Sequence, residues 1–111
     1  MAAPEQGDVV WLDYDPQAGH EQAGRRPSLV LSPKAYNAAT GLMLCCPVTS
    51  QVKGYPFEVE LVGVKGVTGV VLSDQVRNLD WEARRADRVG KAADDVLADV
   101  VAKVTVLLPV R

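Results

Sequence analysis

Residues 20–27 bring together side chains that can move protons and bind an anion. Glu21 supplies a carboxylate, and Arg25 and Arg26 supply guanidinium groups. Gly24 allows the chain to turn sharply, and Pro27 fixes the backbone directly after Arg26. Such a loop can deliver acid, base and fixed positive charge to one place.

One reaction that needs these groups is cleavage of RNA by its own 2′-hydroxyl. One group takes the hydroxyl proton, a second protonates the leaving 5′-oxygen, and a cation faces the phosphorane. A glutamate, an arginine and a threonine hydroxyl supply most of this chemistry without a metal. From spacing alone the alternative stays open that Glu21 and Arg26 form an ordinary surface ion pair, worth about 0–1 kcal/mol.

Other chemistries lack the residues they require. His20 is the single histidine and there is no Cys-x-x-Cys, so neither a zinc site nor a two-histidine nuclease is predicted. Asp13 and Asp15 could share a face and hold Mg²⁺, but such a pair more commonly ends a strand. There is no Gly-rich phosphate loop and no Gly-x-Ser-x-Gly elbow. We therefore expect no metal and no cofactor.

The two cysteines are adjacent in an apolar run. Neighbouring side chains on a strand point to opposite faces, so Cys45 and Cys46 are expected to be buried free thiols.

Composition is that of an ordinary globular chain. Of 111 residues, 48% are apolar and 23% are charged, with a net charge of −2. The acidic balance argues mildly against nucleic-acid binding, although basic residues cluster between Arg77 and Lys91 and could form a local patch. The N-terminus does not resemble a signal peptide and no apolar run could span a bilayer, so we expect a cytoplasmic protein.

Hydrophobic patterning predicts a mainly β fold with some α. We expect strands at residues 9–14, 29–31, 42–48 and 57–61 and from residue 70 through 77, with one helical turn at 33–39 and another capped by Asp80. These elements suggest a single domain, residues 1–111, built as a small, bent antiparallel barrel closed by a terminal helix.

That terminal helix has the clearest pattern. Asp94 and Asp95 lie in its first turn, where the helix dipole favours negative charge, and Pro109 ends it. Apolar residues recur at helical spacing and are expected to pack in the core: Val96, Leu97, Val100, Val101, Val104, Leu107 and Leu108.

The chain resembles the MazF/PemK (Kid) toxin family, and is closest to its MazF branch. The family signature Gly-Ser-Glu-Gln-x-Gly-x-Arg-Pro stands here as Gly-His-Glu-Gln-Ala-Gly-Arg-Arg-Pro at residues 19–27. The similarity covers nearly the whole chain in order, through residues 7–16, 30–33, 47–51, 53–59 and 72–77.

The resemblance implies a homodimer with an SH3-like barrel of the CcdB/PemK type and a C-terminal helix. It implies a type II toxin–antitoxin toxin that cuts single-stranded RNA at short sequences, leaving a 2′,3′-cyclic phosphate and a 5′-hydroxyl. The partner that it implies is a MazE-like antitoxin whose acidic, flexible tail covers the RNA site.

Site residues follow from the same resemblance. Arg26 would be the catalytic arginine, Thr49 its hydroxyl partner and Glu21 the proton acceptor. Five further side chains would contact RNA: Gln22, Arg25, Lys53, Gln75 and Arg77. His20 replaces the usual serine of the signature, which leaves open whether it joins the proton transfers.

Two non-catalytic alternatives share this fold. One is a gyrase inhibitor like CcdB, and the other is a domain that only docks an antitoxin-like partner. Neither needs Arg26 or Thr49, so the complete signature favours the ribonuclease.

Overall fold

The computed structural model describes residues 2–15, 19–20 and 22–110. Within these residues seven strands and two helices form. In chain order they are β1 (Asp8–Asp13), β2 (Arg25–Val30), α1 (Lys34–Thr40), β3 (Leu42–Thr49), β4 (Glu58–Glu60), β5 (Val70–Leu72), β6 (Arg77–Asp80), β7 (Asp87–Lys91) and α2 (Asp94–Val106).

All strand pairs are antiparallel and the strand order is β4-β5-β3-β2-β1-β7. The long strand β3 connects the two parts of the sheet. Along one edge it pairs first with β6, at residues 42–45, and then with β5, at Val48 and Thr49. A strand that serves two partners in succession bends the sheet, and the predicted mainly antiparallel β fold with a C-terminal helix is confirmed.

The sheet has apolar side chains on both faces. Val9 and Cys46 belong to a cluster that packs against α2, whereas Val10 and Cys45 belong to a second cluster with Leu79 and Trp81. Alternate residues of a strand point to opposite faces, which explains why β1 and β3 read as continuous apolar runs. Both cysteines are buried and free, as predicted.

Helix α2 covers the first cluster with a narrower stripe than the sequence predicted. Val96, Val100 and Val104 are buried, and Asp94 and Asp95 lie in the first turn as expected. The helix ends at Val106. The expectation that Val101, Leu107 and Leu108 pack in the core is wrong for this chain by itself, since they are 40%, 41% and 67% exposed.

The region after β5 also departs from the prediction of one strand through residue 77. The chain turns at Ser73 and Asp74, where the Gln75 amide donates to the Leu72 carbonyl at 3.1 Å. A separate strand, β6, then returns along β3.

The Asp80 turn is confirmed, because Asp80 Oδ1 accepts from the amides of Glu82 and Ala83 at 3.1 and 2.8 Å. Helix α1 is confirmed too, and it ends at Gly41, whose φ of 73° suits a left-handed cap. In the described part of the chain, no helix is long and apolar enough to cross a membrane.

Candidate active site

Arg26 and Thr49 lie at neighbouring ends of β2 and β3. The pairing of β2 with β3 ends at Ser28 and Pro47, two residues from Arg26 on β2 and two residues from Thr49 on β3. The two strands therefore bring the regions of Arg26 and Thr49, which are far apart in the sequence, to the same end of the pair.

The Arg26 side chain is held from its inner end. Its Nε donates to the Ala23 carbonyl at 2.7 Å. Among the described residues, neither terminal nitrogen of Arg26 has a hydrogen-bond partner, which leaves two cationic donors for an anion.

Arg26 lines an open cavity of about 270 Å³, which we call the Arg26 cavity. Its wall is formed by Trp11, Arg25, Arg26, Pro27, Val48, Ser50, Gly66, Val67 and Thr68.

Thr49 is almost fully buried at the last position of β3, with 5% of the residue exposed. Its Oγ1 accepts a hydrogen bond from the Gln51 amide at 3.1 Å. A hydroxyl that accepts there keeps its proton for another acceptor, such as a phosphate oxygen.

Thr49 lines a second cavity, of about 110 Å³, which we call the Thr49 cavity. Its wall is formed by His20, Gln22, Thr49, Gln51, Lys53, Tyr55, Glu58, Leu72 and Gln75. Three of the predicted RNA contacts, Gln22, Lys53 and Gln75, are thus brought together with Thr49.

One hydrogen bond attaches the signature loop to this cavity. Gln75 Oε1 accepts from the Gln22 amide at 3.2 Å. His20 is exposed and lines the same cavity. Glu21 lies outside the described residues.

Glu58 shapes the other side of the Thr49 cavity, a role the sequence analysis missed. Its two carboxylate oxygens accept from the amides of Lys53 and Gly54 at 2.9 and 2.7 Å. This bidentate contact fixes the backbone that carries Lys53.

Tyr55 was missed as well. Its hydroxyl donates to Asp74 Oδ1 at 2.9 Å. Burial, the hydrogen bond to Asp74 and the nearby Glu58 together raise the pKa of Tyr55 to about 12. The available signal for both residues was the run Lys-Gly-Tyr-Pro-Phe-Glu-Val at 53–59, which carried the resemblance without a role for Tyr55 or Glu58.

Arg25 lines the Arg26 cavity, but both of its terminal nitrogens already have protein partners. Its Nη1 donates to Asp13 Oδ1 at 3.0 Å and its Nη2 to the Arg85 carbonyl at 2.7 Å. Hydrogen bonds from Arg85 and then Arg25 hold the pKa of Asp13 below its usual value.

The two carboxylates considered for Mg²⁺ both have partners. Asp13 binds two arginines, and Asp15 Oδ1 accepts from the Gly24 amide at 3.0 Å. Among residues 2–15, 19–20 and 22–110, no group of three or more His, Cys, Asp or Glu side chains could hold a metal.

A buried polar contact supports the base of the site. The hydroxyls of Tyr14 and Ser28 share a hydrogen bond of 2.6 Å, which ties the end of β1 to β2. Burial raises the pKa of Tyr14 well above its usual value and that of the neighbouring Cys45 to about 11.

Arg77 lies outside both cavities. It pairs with Cys45 across β3 and β6 and is half-buried. Its Nη1 is buried and has no hydrogen-bond partner among the described residues. The structure therefore does not place Arg77 on the wall of either cavity with the other predicted contacts.

Comparison with known proteins identifies the class of protein that this fold and site define. The family model described as the PemK-like, MazF-like toxin of type II toxin–antitoxin systems matches residues 5–108. The chain belongs to this family.

Two relatives show how similar the chain is to members of this family. The chain is 50% identical over 105 residues to the endoribonuclease toxin MazF of Escherichia coli strain K12, covering 95% of this chain and 94% of that protein. It is 35% identical to the Escherichia coli endoribonuclease PemK over 109 residues, 94% of this chain and 81% of that one.

Solved structures of proteins similar in sequence have the same fold. A crystal structure of MazF from Deinococcus radiodurans matches with a TM-score of 0.91 at 60% identity, covering 96% of each chain. A MazE–MazF structure from the same organism matches with a TM-score of 0.83 at 54% identity, covering 96% of this chain and 95% of that one. The sequence-based assignment to a family of toxin endoribonucleases is confirmed.

Proposed function

We propose that this chain acts as one toxin domain that cuts single-stranded RNA at short sequences without a metal. The observation that carries this proposal is the position of Arg26 and Thr49 at the ends of two adjacent strands, each on the wall of an open cavity. Free donors of Arg26 and an available hydroxyl proton of Thr49 suit a phosphodiester between the cavities.

In the proposed reaction the 2′-hydroxyl of the RNA attacks the adjacent phosphorus, and the 5′-oxygen of the next nucleotide leaves. Glu21 accepts the 2′-hydroxyl proton. The Arg26 guanidinium and the Thr49 hydroxyl donate to the oxygens on which negative charge develops. The 5′-oxygen takes up a proton from solvent water as it leaves, so the products are a 2′,3′-cyclic phosphate and a 5′-hydroxyl. A donor already in place on developing charge is worth about 10²–10³-fold in rate.

Base recognition belongs to the Thr49 cavity and the surrounding loops. The amides and ammonium of Gln22, Gln75 and Lys53 line that cavity, and such groups suit the base edges and phosphates of an unstacked strand. We propose Arg25 and Arg77 as weaker RNA contacts. Arg25 already donates to Asp13, and Nη1 of Arg77 is buried, so each offers RNA fewer donors than a free surface arginine does.

We propose further that the toxin is cytoplasmic and that a MazE-like antitoxin inhibits it through an acidic, flexible tail. The tail would occupy the cationic donors that RNA needs, so an acidic peptide and RNA should compete. The MazE–MazF structure from Deinococcus radiodurans supports an antitoxin partner, because the MazF in it is similar to this chain. Saturating acidic peptide that leaves RNA affinity unchanged would contradict the expected competition.

A homodimer is proposed on the exposed apolar end of α2. Val101, Val106, Leu107 and Leu108 are 40%, 69%, 41% and 67% exposed, more than an isolated soluble chain usually leaves together. A mass in solution of twice 11.9 kDa is expected by light scattering, and a monomer at micromolar concentration would contradict it.

Removal of the Arg26 guanidinium tests the catalytic proposal. Arg26→Ala should lower kcat on unstructured RNA by about 10²-fold or more in excess EDTA, with an unchanged circular dichroism spectrum. Lys34→Ala is the matched control, because it also removes one positive charge but from the exposed start of α1. Cleavage that survives Arg26→Ala would show that another group does this work.

A further inference from the structure

Gly69 approaches Thr49 more closely than any residue with a side chain could. It precedes β5 with a φ of +124°. A Cβ at Gly69 would lie 2.2 Å from the Thr49 carbonyl oxygen, 2.8 Å from its carbon and 3.2 Å from Ser50 Cα. The two shortest of these distances lie far inside van der Waals contact.

Neither backbone segment is free to move aside. Val70, the next residue, pairs with Thr49 on β3 and with Glu60 on β4, and the Gly69 carbonyl accepts from the Leu61 amide at 2.9 Å. On its other edge β3 pairs with β2 as far as Pro47, two residues before Thr49. A side chain at Gly69 would therefore displace the end of β3 and could not simply rotate away.

The displaced segment is the one that joins the two cavities. Thr49 lines the Thr49 cavity, and Ser50 lines the Arg26 cavity. The hydroxyl of Thr49 is oriented by the Gln51 amide, so a shift at residues 49–50 also disturbs this 3.1 Å hydrogen bond.

We propose that Gly69 is a positioning residue of the active site, whose missing side chain sets the place of the Thr49 hydroxyl relative to Arg26. This inference rests on the proposed role of Thr49 in RNA cleavage. Gly69 itself lines neither the Arg26 cavity nor the Thr49 cavity. Its contribution is the close backbone contact, and misplacement of a reacting group by about 1 Å can lower a rate by about 10²-fold.

The test compares glycines at the two ends of β3. Gly69→Ala should lower kcat by about 10²-fold with a much smaller change in KM, since the wall residues that bind RNA are kept. Gly41→Ala is the control: its φ is +73°, and an added Cβ meets nothing within 4 Å. Gly41→Ala places an alanine at a positive φ without creating a close contact to another residue. Its kcat should stay within about threefold of wild type, because we expect displacement of Thr49, and not backbone strain, to slow the reaction.

A double-mutant comparison separates positioning from general damage. In a Thr49→Ala background, Gly69→Ala should cost little further activity, because the group that it positions has already been removed. Additive losses, or a Gly69→Ala enzyme as active as Gly41→Ala, would overturn the proposal.

Amide exchange provides a readout that does not depend on ribonuclease activity. The Gln51 amide, which donates to Thr49 Oγ1, should exchange faster in Gly69→Ala than in wild type and in Gly41→Ala. An unchanged Gln51 amide would overturn the positioning claim even if the enzyme cleaves RNA. If the wild-type protein cleaves no RNA and the Gln51 amide still exchanges faster in Gly69→Ala, the positioning contact stands and the proposed ribonuclease function is rejected.

If Gly69→Ala does not fold, the wild-type protein still tests the geometry. One α-proton of Gly69 occupies the direction of the added Cβ, which would lie 3.2 Å from Ser50 Cα, so we expect a nuclear Overhauser effect between the α-protons of Gly69 and Ser50. Absence of that signal would overturn the proposal.

Discussion

At the scale of single residues, the site depends on how its polar groups are already engaged. Arg26 uses Nε to hold its own loop, and Thr49 accepts from Gln51, so each has its position fixed by one bond while its remaining donors stay available. Arg25, the neighbour of Arg26, has its donors bound by Asp13 and Arg85. Adjacent arginines in the sequence thus differ in what they can offer RNA.

The two cysteines provide a residue-scale prediction. Both are 0% exposed, and burial raises the pKa of each thiol, that of Cys45 to about 11. Because the thiolate is the reactive form, at pH 8 only about one Cys45 thiol in a thousand would be ionised. Native protein should leave both thiols unlabelled by a disulfide reagent within minutes, and both should react after unfolding in guanidinium. Rapid labelling of one thiol in the native protein would contradict the buried geometry.

The residue scale is also where sequence reasoning was most limited. The resemblance pointed to Arg26 and Thr49 as catalytic residues and to Arg25 and Arg77 as RNA contacts, but it gave no information about the partners of these two RNA-contact arginines within this chain. The Asp13 ion pairs and the buried Nη1 of Arg77 depend on residues distant in sequence. No local sequence pattern predicts these partners.

At the scale of elements, apolar patterning predicted the strands that carry core residues. It found β1, β3, β4 and α1, and it started β2 late because Arg25 and Arg26 are polar although they continue the strand. It missed β7 and merged β5 with β6. Only Val89 among the residues of β7 is a sizeable hydrophobic, so the strand is defined by its backbone pairing with β1 and not by an apolar face.

Helix α2 shows a related limit of predicting burial from a sequence pattern. A helical stripe in the sequence indicates which residues share a face, but not how far the sheet beneath them extends. Burial stops at Val104, and the apolar residues beyond it are exposed.

An element-scale prediction concerns the attachment of α2 to the sheet. Val100 is 0% exposed in the cluster beneath the helix, so Val100→Ala should lower the free energy of unfolding by about 2 kcal/mol. Val62→Ala removes the same atoms from a residue that is 52% exposed, and it should change the free energy of unfolding by less than about 0.5 kcal/mol. Urea titrations at one fixed protein concentration measure both. Equal effects would show that α2 does not cover the core as described.

At the scale of the whole molecule, the bent sheet explains how a chain with a net charge of −2 can act on RNA. Asp94, Asp95 and Asp99 lie on α2, whereas Arg26 lines one cavity and Lys53 lines the other. The charge around the cavities affects the approach of RNA more than the net charge of the whole chain does.

The measurement that tests this account most directly is the chemistry of the cut ends in the absence of metal. Wild-type protein, incubated with unstructured RNA in excess EDTA, should release fragments with a 2′,3′-cyclic phosphate and a 5′-hydroxyl, and Arg26→Ala and Thr49→Ala should release almost none. Fragments with a 5′-phosphate, or cleavage that appears only when Mg²⁺ is restored, would contradict attack by the 2′-hydroxyl at the Arg26–Thr49 site.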